Sequence, residues 1–244
     1  RLPRSLGFKR YALSFDGTDD YAEVPDSPNL RVQQNTIEVL FMIRSYPSRY
    51  GHVVAKAAVT LSNPDQNPWV VWVDFGTREP GYITLRYGTR GDGSGWNDVG
   101  FRIGTTSNPP PEWLNKWIHI VGTYDGSALR LFIYGELKAE TEENRTIEYD
   151  DSPWYVGADD NDGDGVPDYI LNGLVALVRI YDRPLSQAEI RWNMLEYHNP
   201  VRDGLVLWLH DSIVGDTWHD ESGYGNNGAI HGAIREELAM WEIR

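Results

Sequence analysis

The chain has 244 residues, no cysteine and a formal net charge of −14 at pH 7, from 36 acidic and 22 basic residues. Because binding to phosphates needs clustered Lys and Arg, this balance argues against a nucleic-acid partner and favours cations as ligands. The lack of cysteine excludes disulfides and thiolate metal sites, while a hydrophobic content of 41% is enough for a sizeable core.

Short apolar or alternating segments follow one another along the chain. They are rich in Val, Ile, Tyr and Trp and are separated by Gly, Pro, Asn, Asp or Ser, which is typical of β-strands joined by turns. Examples in chain order are YALSF, YAEV, TIEVLFMI, WVVWVDF, YITLRY, WIHIVGTY, LRLFIYG, WYVGA, LVALVRIY and LVLWL. The spacing predicts an all-β fold, a two-sheet antiparallel jelly-roll β-sandwich. No apolar run is long enough to suggest membrane insertion.

Residues 159–168 read DDNDGDGVPD and carry five carboxylates. Calcium binds about six to eight hard oxygen atoms, and a D-x-D-x-D-G loop can wrap them around one ion. The predicted ligands are Asp160, Asp162, Asp164, the carbonyl of Val166, and Asp168. Leu171 stands where an EF-hand has its bidentate Glu, so the loop is similar to the isolated calcium loops of thrombospondin-type extracellular proteins. We predict structural Ca²⁺ here, with a solvated acidic turn as the alternative.

One segment carries the signals of a helix. Ser186 can cap it, Glu189 follows at the spacing of a capping box, and Ile190 and Met194 fall on one face. The pattern ends before Pro200. We therefore predict one short helix beside the sandwich.

Several longer segments keep a common order along the chain. They are YALSFDGTDDYAEVPDSPNL at 11–30, TIEVLFMIR at 36–44, WIHIVGTYDGSALRLFIYGEL at 117–137, WYVGADD at 154–160 and LNGLVALVRIYDRPLSQAEI at 171–190. Together they resemble the concanavalin A-like lectin and glucanase jelly rolls, in particular the laminin G-like domain family. The resemblance covers most of 11–196 and implies the same sandwich fold. The closing strand at 173–179 lacks two acids that many relatives carry there.

The tail at 204–233 is the unusual part of the sequence. GLVLWL at 204–209 and DESGYGNNGAIHGA at 220–233 resemble the segment that normally opens such a domain. Either the domain is circularly permuted, or the tail begins a second repeat of a tandem array. We favour a single permuted domain over 1–244, because an isolated stub would expose its apolar residues, Leu205, Leu207, Trp208 and Leu209.

Catalytic motifs are weak in this chain. A glycosidase needs two carboxylates flanking the scissile bond, and neither Glu38, Asp74 nor the pair at 142–143 has a partner at the spacing that related glucanases use. The six histidines form no H-E-x-x-H motif. His210 and His219 could meet in the tail, and we assign them to turn or structural hydrogen bonds. We predict that the protein is not an enzyme.

Sugar binding needs aromatic faces with planar polar groups around them. The loop at 89–98 has the most sugar-like composition, and its predicted ligand-binding residues are Arg90, Asp92, Trp96, Asn97 and Asp98. Trp96 could equally pack back onto the sandwich. Further aromatic residues outside the strand patterns are Tyr50, Trp113 and Tyr224.

These observations favour a non-catalytic carbohydrate-binding or adhesion module that carries structural Ca²⁺. We expect it to be extracellular or surface-associated, on a cell envelope or a virion, with a glycan or a surface protein as partner. A structural or assembly module without a sugar ligand is the alternative, and a glycoside hydrolase comes third.

Overall fold

The computed structural model describes residues 10–57, 68–89, 96–160 and 164–238. Within them one α-helix, α1, spans Gln187–Leu195, and the remaining regular structure is almost entirely β-strand. The strands are β1 (Arg10–Asp16), β2 (Tyr21–Val24), β3 (Asn35–Ile43), β4 (Tyr50–Lys56), β5 (Trp69–Phe75), β6 (Tyr82–Thr89), β7 (Asn97–Thr105), β8 (Trp117–Tyr124), β9 (Ala128–Ile133), β10 (Glu136–Glu142), β11 (Trp154–Val156), β12 (Asn172–Tyr181), β13 (Leu205–Val214), β14 (Thr217–Asp220), β15 (Gly228–His231) and β16 (Ile234–Leu238). In these ranges, no helix has the length and apolar character needed to cross a membrane.

The strands form one antiparallel ladder that folds back on itself. Its order is β10-β9-β8-β3-β12-β13-β14-β15-β2-β11-β4-β5-β6-β7, and β1 pairs with both β12 and β16. The two ends of the ladder meet, because β7 contacts β9 and β10. β14 and β15 are joined by a short register of two residue pairs, Thr217 with Ala229 and Trp218 with Gly228. The predicted all-β sandwich with one short helix is confirmed.

The main core lies between the two layers and is built by alternate residues of each strand. On β5, Trp69, Val71 and Val73 point into this core, whereas Val70 and Trp72 belong to a smaller cluster on the other face of the sheet. Successive side chains of a strand point to opposite faces, so a strand buried on both sides needs apolar residues at nearly every position. The run WVVWV meets that requirement.

The tail at 204–233 is paired with earlier strands. β13 lies beside β12, β15 pairs with β2, and β16 pairs with β1. The four apolar residues that an isolated stub would expose are all buried: Leu205, Leu207, Trp208 and Leu209. Arg10 and Leu238, at the two ends of the described chain, face each other in register. A permuted domain would have this arrangement, although the permutation and the single-domain boundary stay predictions.

A buried charged cluster joins β3 to the neighbouring strands and to α1. The Glu38 carboxylate lies 2.8 Å from His119 Nε2 and accepts hydrogen bonds from Arg179 Nη1 at 3.2 Å and Asn193 Nδ2 at 2.8 Å. Burial would raise the pKa of Glu38, but Arg179, His119 and Asn193 outweigh it and lower the pKa to about 2. This carboxylate is therefore ionised and fully neutralised by its neighbours.

The helix begins as the sequence predicts. Ser186 Oγ accepts from the backbone N–H of Glu189, and the Glu189 side chain accepts from the backbone N–H of Ser186. The buried residues of the helix are Ile190 and Asn193, and Met194 is only partly covered. Asn193 is buried because its amide binds Glu38, a partner that helical periodicity alone does not reveal.

Candidate functional site

The acidic loop, residues 159–168, connects β11 to β12 and is closed at its base by main-chain hydrogen bonds. Asp159 and Asp168 form an antiparallel bridge in which Asp159 N donates to Asp168 O at 3.0 Å. The side chain of Asp159 is fully buried, and its Oδ2 lies 3.0 Å from Nδ1 of His52 on β4. The fold therefore holds both ends of the loop together.

The structure describes four of the five predicted calcium ligands, Asp160, Asp164, Val166 and Asp168, whereas Asp162 lies outside the described residues. Asp160 Oδ2 accepts from Gly165 N at 3.3 Å, and Asp164 Oδ1 accepts from Val166 N at 2.8 Å. Gly165 has a φ of 80°, which suits the sharp turn expected at the glycine of a calcium loop. These features are compatible with a bound ion, and the calcium site stays a prediction.

A cavity of about 420 Å³ opens beside this loop. We call it the tyrosine pocket and define it by five of its lining residues, Tyr46, Arg49, Tyr50, Tyr169 and Asn172. The first three come from the β3–β4 connection and the start of β4, whereas Tyr169 follows the acidic loop and Asn172 is the first residue of β12. The pocket thus forms where these two segments approach each other.

The aromatic rings of the tyrosine pocket are held in fixed positions. The rings of Tyr50 and Tyr169 meet edge to face, with centroids 5.2 Å apart, and the Arg49 guanidinium lies 5.2 Å from the Tyr50 centroid. Tyr169 has a left-handed backbone with a φ of 51°, a conformation that costs roughly 1–2 kcal/mol for a residue with a side chain. Its carbonyl accepts from the backbone N–H of His52 at 2.8 Å. The fold therefore supports an unfavourable backbone that directs this ring.

The hydroxyls of Tyr46 and Tyr169 remain protonated at neutral pH. Burial raises the pKa of Tyr46 to about 12 and also raises the pKa of Tyr169. The Tyr46 hydroxyl donates to the carbonyl of Pro110 at 2.7 Å, which fixes its ring at the cavity wall. The pocket therefore offers neutral aromatic rings beside the cationic Arg49.

The predicted ligand-binding loop at 89–98 is only partly described, because Arg90 and Asp92 lie outside the described residues. The side chain of Asp98 is 4% exposed, and it forms ion pairs with Arg78, at 2.6 Å, and with Arg86. The Trp96 ring packs against the Trp72 ring, with centroids 5.7 Å apart. Trp96 therefore lies back on the sheet, as the alternative to sugar binding anticipated.

Asn97 borders a second cavity, of about 720 Å³, between the β7 edge and β9–β10. Its amide donates to Glu143 Oε2 at 3.0 Å, and Glu143 also pairs with Arg145 at 2.8 Å. Burial would raise the pKa of Glu143, but hydrogen bonds from the Arg145 backbone and from Asn97 lower it. Another acid here, Glu140, pairs with Arg130 at 3.0 Å. The ligand role of Trp96, Asn97 and Asp98 stays a prediction.

Sequence reasoning named Tyr50 but missed Tyr46, Tyr169 and Asn172. Tyr169 follows Asp168 directly, so its position at the end of the acidic loop was available from the sequence. The approach of Tyr46 and Tyr50 to that loop depends on long-range pairing, since β4 reaches the loop through β11. No local pattern marks that contact.

A family model described as the concanavalin A-like lectin/glucanases superfamily matches residues 16–191. The chain belongs to this superfamily, and the resemblance to its laminin G-like members is confirmed. No curated protein sequence matches the chain.

Three solved structures illustrate how widely the fold is shared. A candidate carbohydrate-binding protein from Bacteroides ovatus has a TM-score of 0.67 and 16% identity, over 95% of this chain and 61% of its own. A heptameric SAP-like pentraxin from Limulus polyphemus has a TM-score of 0.59 and 14% identity, over 93% and 96%. The CBM40 of a Ruminococcus gnavus IT-sialidase, bound to α2,3-sialyllactose, has a TM-score of 0.54 and 14% identity, over 74% and 96%.

At these identities the likeness shows the fold alone. This chain also spans only 61% of the length of the Bacteroides ovatus protein.

Proposed function

We propose that the protein is a non-catalytic carbohydrate-binding module whose sugar site is the tyrosine pocket. The observation that carries this proposal is that tyrosine rings, a guanidinium and an amide converge on one open cavity. Aromatic rings offer apolar faces to the C–H groups of a sugar, while Arg49 and Asn172 offer polar groups for its hydroxyls. Fold neighbours described as carbohydrate-binding or bound to sialyllactose support the same class.

Calcium in the acidic loop would act on this pocket through Tyr169. An ion held by Asp160, Asp162, Asp164 and Asp168 would stiffen the loop just before that tyrosine. Because the loop lacks the twelfth-position Glu of an EF-hand, its affinity suits the high calcium concentration outside cells. We therefore place the module extracellularly or on a surface.

The pKa and the ion pairing of the acids that line the second cavity support a non-catalytic function. A glycosidase needs a general acid with a raised pKa. Glu143 has a lowered pKa, and Glu140 is paired with Arg130. Glu143 is better suited to holding Asn97 of β7, and Glu140 to joining β10 to β9, than to proton transfer.

A glycan array followed by calorimetry on the best ligand tests the proposal. We expect Tyr50→Ala and Tyr169→Ala each to weaken sugar binding by about tenfold or more, because each removes a stacking face. Tyr224→Ala is the matched control, since Tyr224 is 59% exposed and is not among the residues that line the pocket. The affinity of the Tyr224→Ala variant for the sugar should equal that of the wild type.

Three other results would redirect the assignment. A loss of binding in Trp96→Ala but not in Tyr169→Ala would move the sugar site to the loop at 89–98. A blank array, together with self-association in size-exclusion chromatography, would favour a structural or assembly module. Turnover of a glycan panel would restore the glycoside hydrolase.

A further inference from the structure

Outside the tyrosine pocket, two histidines and an aspartate come together. His198 lies in the loop after α1, and His210 and Asp211 are consecutive residues of β13. One ligand atom from each lies within 4.8 Å of the other two. His198 Nε2 is 3.5 Å and His210 Nδ1 is 3.9 Å from Asp211 Oδ2. We call these three residues the histidine cluster.

An irregular stretch of β13 explains why two consecutive residues face the same centre. Neighbouring side chains of a regular strand point to opposite faces. Here the register with β14 pairs Leu209 with Asp220 and next pairs Ile213 with Trp218, so residues 210–212 face His219 alone. Such a bulge redirects side chains. The indole N–H of Trp218 donates to the His210 carbonyl and holds the distorted backbone.

The histidine cluster contains three buried polar atoms that form no hydrogen bond, although His198 Nε2 and His210 Nδ1 lie within ion-pair distance of Asp211 Oδ2. These atoms are the two ring nitrogens of His210 and Asp211 Oδ2. All three are shielded from solvent, and no described residue forms a hydrogen bond with any of them. The side chains of His210 and Asp211 are only 10% and 15% exposed. Buried polar groups in native proteins nearly always have a hydrogen-bond partner, and a bound ion takes that place where the protein supplies none.

The side chains are also held in place around this centre. The His210 ring stacks on the Trp208 ring, with centroids 4.3 Å apart, and the His198 ring meets it edge-on at 5.5 Å. The other oxygen of Asp211, Oδ1, accepts from Tyr11 N at 2.9 Å. A hydrogen bond to the distal atom of a ligand is what commonly orients metal-binding residues.

We propose that His198, His210 and Asp211 bind a divalent transition-metal ion of the zinc class. Zinc bonds of about 2.0–2.2 Å in tetrahedral geometry separate neighbouring ligand atoms by about 3.3–3.6 Å. The measured 3.5 and 3.9 Å therefore require only a small adjustment. Two imidazoles with one carboxylate suit zinc, nickel or copper, whereas calcium prefers oxygen alone.

The ion would join three parts of the chain and keep one position open. It would connect the loop after α1 to β13 and, through the hydrogen bond to Tyr11, to β1. The side chain of His198 is 45% exposed, so water can enter as the fourth ligand from that side. In a chain without cysteine, the ion would take the stabilising role of a cross-link.

Thermal unfolding of the tag-free full chain, dialysed against EDTA and titrated with Zn²⁺, tests this proposal. At about one hundred times the dissociation constant, Zn²⁺ should raise Tm on the order of 5 to 10 °C. His198→Ala should weaken zinc binding by about tenfold or more. His219→Ala is the matched control, because this exposed histidine lies on the adjacent strand.

His210→Phe separates metal binding from packing. Phenylalanine keeps a ring against Trp208 and removes both unpartnered nitrogens, so this variant should be at least as stable as the wild type in EDTA but show no zinc response. If His210→Phe fails to fold, the zinc response of His198→Ala, a change at a half-exposed position, decides whether the cluster binds the metal. The proposal is overturned if Zn²⁺ leaves the wild-type Tm unchanged, or if the response survives in both variants. Asp160→Asn, in the acidic loop, should keep the zinc response.

Discussion

Glu38 shows how one buried charge connects distant parts of the molecule. It lies on β3, while its partners come from β8, β12 and α1. An ion pair away from water is tolerated only when its hydrogen bonds are satisfied, and removing one member leaves the other charge uncompensated. The position of the helix against β3, β8 and β12 therefore depends on this residue.

We expect Glu38→Gln to lower the free energy of unfolding by about 3–5 kcal/mol in a urea titration at pH 7, because Arg179 stays buried without an opposing carboxylate. Glu136→Gln is the control, since Glu136 and Arg191 form an ion pair whose side chains are about half exposed. Its effect should stay below about 1 kcal/mol. Equal losses in the two variants would contradict a special role for Glu38.

The loss of stability in Glu38→Gln should depend on pH. The pKa of Glu38 is lowered from 4.5 to about 2, so its ionisation stabilises the fold fully above the unfolded value and is lost as the pH falls toward the folded value. The stability difference between wild type and Glu38→Gln should therefore narrow between about pH 4.5 and pH 2. A constant difference across that window would count against the lowered pKa.

Among the elements, the acidic loop is the one that we predict to bind calcium. Its base is closed by the Asp159–Asp168 bridge, and its bend at Gly165 is formed by hydrogen bonds within the loop. Carboxylates at such density repel one another, so a cation should favour the folded loop over the open one. Stability should therefore rise with calcium.

Calcium at about ten times its dissociation constant should raise Tm by roughly 3–6 °C, and EDTA should remove that gain. Asp160→Asn and Asp162→Asn should reduce it, because each removes a negative oxygen ligand. Asp216→Asn, at an exposed turn between β13 and β14, is the control. A Tm that is unchanged by EDTA and by Asp162→Ala would exclude calcium from the loop.

Features that depend on neighbouring residues were predictable from the sequence. The capping box of α1, the alternation of the strands and the position of the acidic loop all arise within about ten residues. Features that depend on distant pairing were not. Asn193 is buried because Glu38 lies opposite it, and Tyr46 reaches the tyrosine pocket because β4 is placed beside β11. Composition drew attention to Trp96, which packs on Trp72.

At the scale of the whole molecule, the tail pairs with strands from two distant parts of the sheet. β13 pairs with β12, and β15 pairs with β2. Leu207 and Leu209 of β13 are part of the main core, together with Trp218 of β14. The tail therefore contributes to the central packing of the fold.

A chain that ends at Asp203 should lose cooperative unfolding, because it would expose the edge of β12 and the apolar surface that β13 covers. Circular dichroism, dye binding to exposed apolar surface and size-exclusion chromatography would show this against the full-length chain. Cooperative unfolding of the shortened chain would instead favour the tandem-array explanation of the tail.

The strand order has a consequence for how quickly this fold can form. β3 pairs with β8 and β12, β2 with β15, and β1 with β16, so many neighbours in the sheet are far apart in sequence. Each such pairing must close a long loop before its contacts repay the lost chain entropy. Folding is therefore expected to take milliseconds to seconds, the order of magnitude found for all-β domains. During that time unpaired strand edges are exposed, and refolding at high protein concentration competes with aggregation.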